Sequence, residues 1–388
     1  MNSVLLTDGQ LRKTLAAVRS LGKKGVPAYV AETTRCNISA FSRYCKGNLL
    51  SPDPAKHSRA YAEWLAETMA RKQIDILFPM DDRALAAVMK HADLFANGPR
   101  MVLPEKDSWE KAADKGKAVE IARQCQVPIP ATFAPKNPDQ VADLIARLPE
   151  PLVIKPRRSS GSRGIRVVKK RELLEQYFQV HAKYPFPLIQ EYIPPGERFD
   201  VCLLYDFAGR LKASFVQREL RHFPVAHGPS TLQESVRRPD LLELSLRIMD
   251  KLPWRGIVEL EFMVDPRDGA AKFMEINPRF WNSLQTAILS GIDFPWMLYQ
   301  IACGEKTEET RGYKEGVLCR NLLPGDMLHY LANPHRGKLT PGFWRGPGRG
   351  VADDILSRDD PLPAFGFMLA CLRYIADPKA WNMVISRS

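Results

Sequence analysis

Gly256-Ile257-Val258-Glu259-Leu260-Glu261-Phe262-Met263-Val264 and, after a turn, Phe273-Met274-Glu275-Ile276-Asn277-Pro278-Arg279-Phe280 are the segments that decide the fold. The first alternates: Val258, Leu260, Phe262 and Val264 share an apolar face, and Glu259 and Glu261 point the other way. Asp265-Pro266-Arg267-Asp268-Gly269 is a turn signal. On the return, Met274, Ile276 and Phe280 share one face, while Glu275, Asn277 and Arg279 share the opposite one. Glu261 and Glu275 lie at equal distances in sequence from Asp268. A symmetric antiparallel register therefore makes them direct cross-strand neighbours, with Cβ atoms about 4.5–5.5 Å apart. Two carboxylates so placed repel unless one takes a proton or a cation sits between them. Asn277 adds a neutral oxygen on the same face. Three hard oxygen donors without His or Cys select Mg²⁺, or Mn²⁺, over zinc.

Outward from the hairpin, the next informative stretch is basic. Between Lys155 and Arg171 there are eight basic residues and no acidic one, around Ser159-Ser160-Gly161-Ser162-Arg163-Gly164. The stretch has no Phe, Tyr or Trp on which bases could stack, so a polyphosphate suits it better than a nucleic acid. Residues 153–155 and 165–168 read as strands on either side of it, and 187–192 as a strand ending at Pro194-Pro195-Gly196. Hairpins at 201–216 and 256–280 with a helix at 239–251 give an α+β region. Arg218, Arg221, His222 and His227 fall on a loop before the metal hairpin and are candidates to contact phosphate or an acidic substrate.

The first hundred residues alternate strand and helix. Strands are expected at 4–7, 27–31, 74–79 and 101–103, with helices at 11–21, 57–72 and 82–92, which implies a parallel sheet. No G-x-G-x-x-G follows the first strand, so the usual dinucleotide phosphate turn is missing. Asp81 follows the strand that ends at Pro79 and is a candidate to face substrate. One helix is expected over 108–125. After 305 the pattern weakens: 333–350 reads as a loop, and 365–375 as an apolar helix that either packs on the body or lies on a membrane surface.

The composition is that of a globular protein of two or three domains: 388 residues, 45% hydrophobic and 26% charged, with a formal charge of +12. No apolar run is long enough for a transmembrane segment, and the N-terminus does not read as a secretory signal. Seven cysteines without a C-x-x-C argue against a disulfide framework and favour a cytoplasmic location.

Taken together, Glu261-Phe262, Glu275-Ile276-Asn277-Pro278-Arg279 and the basic glycine loop resemble the ATP-grasp superfamily, which includes biotin carboxylase and carbamoyl-phosphate synthetase large subunits. Asp114-Lys115 and Val127-Pro128-Ile129-Pro130 resemble the start of its grasp domain. The resemblance covers about 1–305. It implies an α/β N-terminal domain with a parallel sheet (1–105), an α+β ATP-grasp fold of two subdomains clasping ATP (106–190 and 191–305), and a small C-terminal extension (306–388).

The resemblance also implies roles. Lys115 and Lys155 would bind ATP phosphates, with Ser160, Gly161, Ser162 and Gly164 in a loop closing over them. Gln190, Glu191, Tyr192 and Ile193 would line the adenine, with backbone groups of Glu191 and Ile193 on its edge, and Glu197 would bind the ribose. His227 lies in a loop that is commonly glycine-rich in such proteins. Glu261, Glu275 and Asn277 would hold Mg²⁺, and Arg279, Lys155 and Arg218 would act in catalysis. The implied reaction is ATP-dependent ligation of a small-molecule carboxylate to an amine through an acyl phosphate, releasing ADP. Bicarbonate activation is the nearest alternative; carbamoyl-phosphate synthesis ranks lower because it normally needs two grasp modules. A non-catalytic ATP-binding regulator is a further class. No nucleic-acid partner is expected, and a homodimer is the common oligomeric case.

Overall fold

The computed structural model describes residues 1–376 apart from 97, 138–139, 142–148, 160, 162, 226–227, 311 and 345–349. Ser160, Ser162 and His227 therefore lie outside the described residues.

The N-terminal sheet is all parallel. Its strands run in the order Cys45–Leu50, Ala28–Glu32, Val4–Leu6, Ile76–Phe78. Cys45–Leu50 was not foreseen, because this edge strand lacks a clear alternation and none of its residues is fully buried. The expected strand at 101–103 is reduced to an isolated bridge between Ile76 and Arg100. Helix Arg12–Lys23 follows the first strand as its spacing predicts, with Leu15, Val18 and Leu21 completely buried.

The expected helix over 108–125 is two helices, Lys106–Ala113 and Lys115–Gln124. Asp114 separates them: it takes an extended conformation and accepts from Gly116 N and Lys117 N at 2.9 and 3.1 Å. Ser, Asp and Asn are favoured there because their short side chains satisfy free helix N–H groups. The break leaves Lys115 at the first position of the second helix.

Two further sheets form the body. A four-stranded antiparallel sheet has the order Thr132–Phe133, Leu188–Glu191, Leu152–Lys155, Arg166–Val168. A seven-stranded sheet has the order Ala271–Asn277, Gly256–Val264, Arg198–Tyr205, Leu211–His222, Ser230–Ser235, Leu318–Arg320, Val351–Asp353. Every neighbouring pair is antiparallel except the last. The C-terminal residues thus complete a sheet begun at residue 198.

The extension also ties back to the N-terminal domain. Arg19 pairs with Asp360 at 2.9 Å, and Asp360 also accepts from Ser42 Oγ and Arg43 N. Helix Leu362–Ala376 rests on Ile38–Phe41, with the Phe41 and Phe365 rings 6.3 Å apart. That is the packed alternative for this segment. Among the described residues, no helix is long and apolar enough to cross a membrane. One apolar core joins the parallel sheet to the large one, through Leu6, Ile76 and Phe78 on one side and Leu204, Phe215 and Trp281 on the other.

Candidate active site

The antiparallel register expected of the hairpin holds on its inner half and fails beyond it. Glu261 is paired directly with Glu275, and Glu259 with Asn277. The register then slips: Phe262 pairs with Phe273, leaving Met274 as an unpaired bulge residue. The symmetric register therefore holds only on the inner half. Phe273, not Met274, lies in the core with Phe262 and Ile276, and Met274 joins Glu275 in lining the cleft. The bulge turns the Met274 carbonyl to Lys155 Nζ, which donates to it at 3.2 Å.

The cleft has a volume of about 250 Å³ and lies between the two body sheets. Two buried lysines reach its floor. Lys115 Nζ is 3.2 Å from Glu275 Oε2 and donates to Ser159 O at 2.6 Å; Lys155 Nζ is 3.4 Å from the same carboxylate. Burial alone would favour protonated Glu275, but the two ammonium groups hold it down to about 2. Burial pushes the Lys155 amine below its ordinary value. Glu261 behaves oppositely: burial, then Glu275 and Glu259, push it well up. Burial also raises Glu259 to about 7, against the pull of Arg279.

Asn277 stands between two of these groups. Its Nδ2 donates to Glu261 Oε1 at 2.6 Å, and its Oδ1 accepts from Arg279 NH2 at 3.1 Å. Arg279 is also ion-paired with Asp82 at 3.0 Å and lies 3.8 Å from Asp81 and 3.9 Å from Glu259. Asp81 accepts from Lys13 Nζ at 2.7 Å, and that ammonium, completely buried, also donates to Phe280 O. The ends of the parallel strands thus orient Arg279. Asp81 serves as this bridge instead of lining the cleft.

At the other end, Gly161, Gln190, Glu191, Tyr192 and Ile193 line the cleft. Gly161 and Gly164 have φ of 63° and 78°, and a Cβ at Gly164 would collide with Tyr184 and Pro156. Glu191 N donates to Ala131 O at 2.8 Å, so this N–H is already used.

Three expected residues take other places. Glu197 and Arg218 do not line the cleft; they pair with each other at 2.8 Å, and Arg218 also pairs with Glu234 at 2.7 Å. Strand alternation is the cause, because Arg218 sits between Gln217 and Glu219 and points to the opposite face. Arg221 is also structural, buried against Asp326 at 2.8 Å.

The sequence reading overlooked Asp200, Glu219, Asn282 and Ser283, all of which line the cleft. An acid inside the apolar run Phe199 to Tyr205 was a usable signal for Asp200. Asn282 and Ser283 gave none.

Comparison with known proteins agrees with this geometry. Residues 112–283 match a family model described as the ATP-grasp domain. The chain has the ATP-grasp fold. A biotin carboxylase from Campylobacter jejuni, solved as an ATP complex, superposes with a TM-score of 0.69 at 18% identity, over 82% of this chain and 74% of that one. N5-carboxyaminoimidazole synthetase from Staphylococcus aureus gives 0.66 at 12% identity, over 83% and 85%. In sequence, pyruvate carboxylase 1 of Caenorhabditis elegans is 24% identical over 375 residues, which is 89% of this chain. This chain spans only 31% of that carboxylase's length.

Proposed function

We propose that this protein is an ADP-forming ligase that joins a carboxylate to an amine through an acyl phosphate. The observation that carries the reading is Glu275: opposite Glu261 in register and held at 3.2 and 3.4 Å by Lys115 and Lys155. A carboxylate pair with a neutral amide and two lysines is the donor set that Mg²⁺ and a polyphosphate need. Burial, then the facing Glu275 and Glu259, raise the Glu261 carboxyl; a cation between the two acids would offset that repulsion.

Glu261, Glu275 and Asn277 would hold the ion. When bound, Mg²⁺ neutralises charge on the phosphate oxygens. Lys115 and Lys155 exchange Glu275 for phosphate oxygens and stabilise the charge that grows there. The substrate carboxylate attacks the γ-phosphorus, and the β–γ bridging oxygen leaves with ADP. The amine then attacks the acyl carbon and expels phosphate. Arg279, fixed by Asp81 and Asp82, faces the reacting carboxylate. Ser159 and Gly161 border the phosphate end, and closure over it would exclude water, which would otherwise hydrolyse the acyl phosphate.

A second reading is bicarbonate activation through carboxyphosphate, favoured by the likeness to biotin carboxylase. ADP release screened with pairs of carboxylic acids and amines in Mg²⁺, against bicarbonate alone, separates the two. AMP and pyrophosphate as products would reject both. Glu275→Gln is expected to lower turnover by roughly two to three orders of magnitude, with circular dichroism unchanged. Wild-type turnover in that variant would remove the metal assignment.

A further inference from the structure

The cleft continues past the two glutamates. Glu275, Glu261, Asp200 and Gln217 form one row across four adjacent strands. At 4.7–4.9 Å per strand, Asp200 lies about 10 Å along the sheet from Glu275. Glu219 and Glu259 share the face on diagonals from Asp200, roughly 7–8 Å away by strand geometry. Asp200, Glu219 and Glu259 all line the cleft.

Their partners differ. Glu275 has two lysines, Glu259 has Arg279 at 3.9 Å, and Glu219 has His222 at 2.8 Å with Arg198 opposite in register. Asp200 is 4% exposed, and its hydrogen bond comes from a neutral amide, Gln217 Nε2 at 2.7 Å. The same amide donates to Ser283 Oγ, another cleft residue. Gln217 is completely buried, and among the described residues its Oε1 has no donor. A buried acceptor without a donor, and a buried acid whose hydrogen bond among the described residues comes from a neutral amide, are both costly unless a donor arrives. An alkylammonium carries three donors and no acceptor, and so answers both groups at once.

We propose that Asp200, Gln217 and Glu219 form a subsite for a second ammonium group on the amine substrate, making the acceptor a diamine or a basic amino acid. This rests on the ligase reading for the existence of an amine acceptor. The nucleophilic nitrogen lies toward Arg279, and the charged end of the same molecule lies deeper, along the row toward Gln217. A monoamine of equal length leaves the deep end empty.

The test is calorimetric binding to the full chain with saturating MgADP, so that it does not depend on turnover. Putrescine is compared with butylamine, and lysine with norleucine. The member of each pair with the additional ammonium group is expected to bind at least about tenfold tighter. Asp200→Asn should bring the ratio close to one, and Glu219→Gln should reduce it. Equal affinities within each pair in the wild type would overturn the subsite, as would a preference that survives Asp200→Asn. Occupation by K⁺ or Mg²⁺ alone, with no diamine preference, would reassign the cluster to an inorganic ion and also overturn it. Diamine selectivity without ADP release for any carboxylate would reject the ligase reading and keep the subsite. ADP release with equal efficiency for butylamine and putrescine would do the reverse.

Discussion

At the scale of single residues, burial decides charge, and neighbours decide whether that charge survives. Glu275 stays ionised because Lys115 and Lys155 outweigh its desolvation. Its stabilising share is therefore present above the ordinary glutamate value and is lost as pH falls toward about 2. Asp8 has the opposite sign. It lies two residues past the first strand with φ of 58°, and burial together with Asp81 raises its carboxyl to about 7. The folded state keeps this proton after the unfolded chain has lost it, so stability falls as pH rises from about 4 to 7. Asp8→Asn keeps a side chain that tolerates a left-handed backbone. Melting temperatures across that range should fall less for the variant than for the wild type; parallel curves would refute the assignment. Glu261, Glu275, Asn277 and Lys155 were legible as a site because their chemistry follows strand alternation. Lys13 and Asp82 were not, because their link to Arg279 exists only once distant segments meet.

At the scale of elements, register and capping do the positioning. The hairpin presents both glutamates because a bulge at Met274 absorbs the slip between its inner and outer halves. The sequence pattern contained the alternation but not the bulge, since both registers bury similar apolar sets. Strand Leu211–His222 carries different work on its two faces: Glu219 lines the cleft with Gln217 buried on the same face, and Arg218 and Arg221 are paired elsewhere. Arg221 is locked to Asp326, which is completely buried and also lies 3.7 Å from Arg320. Asp326→Asn leaves two buried guanidinium groups without their carboxylate. A loss of about 3–5 kcal/mol is expected, read as a lower urea midpoint. A change under about 1 kcal/mol would show that the pair is solvated and not structural.

At the scale of the whole molecule, the extension after 305 belongs to the fold. It supplies two strands of the seven-stranded sheet and the carboxylates that meet Arg12, Arg19 and Arg221. A chain ending at 305 would expose the edge at Ser230–Ser235 and strand those arginines. It is expected to be insoluble or to lose its cooperative thermal transition. A soluble truncated chain with the wild-type melting temperature would show that the extension is an appendage. The sheet joins residues far apart in sequence, and a short strand such as Leu318–Arg320 carries too little periodicity to reveal its place.

The amino-acid order alone determined the alternation that brings Glu261 against Glu275, the cationic glycine loop, and the parallel sheet at the start of the chain. Those are local patterns, written in spacings of two and of three to four residues. Tertiary structure alone decided the partners of each charge: two lysines on Glu275, a neutral amide on Asp200, aspartates from the first domain on Arg279. Coulomb and desolvation energies depend on distance and burial, and neither is set until separate segments of the chain share one floor.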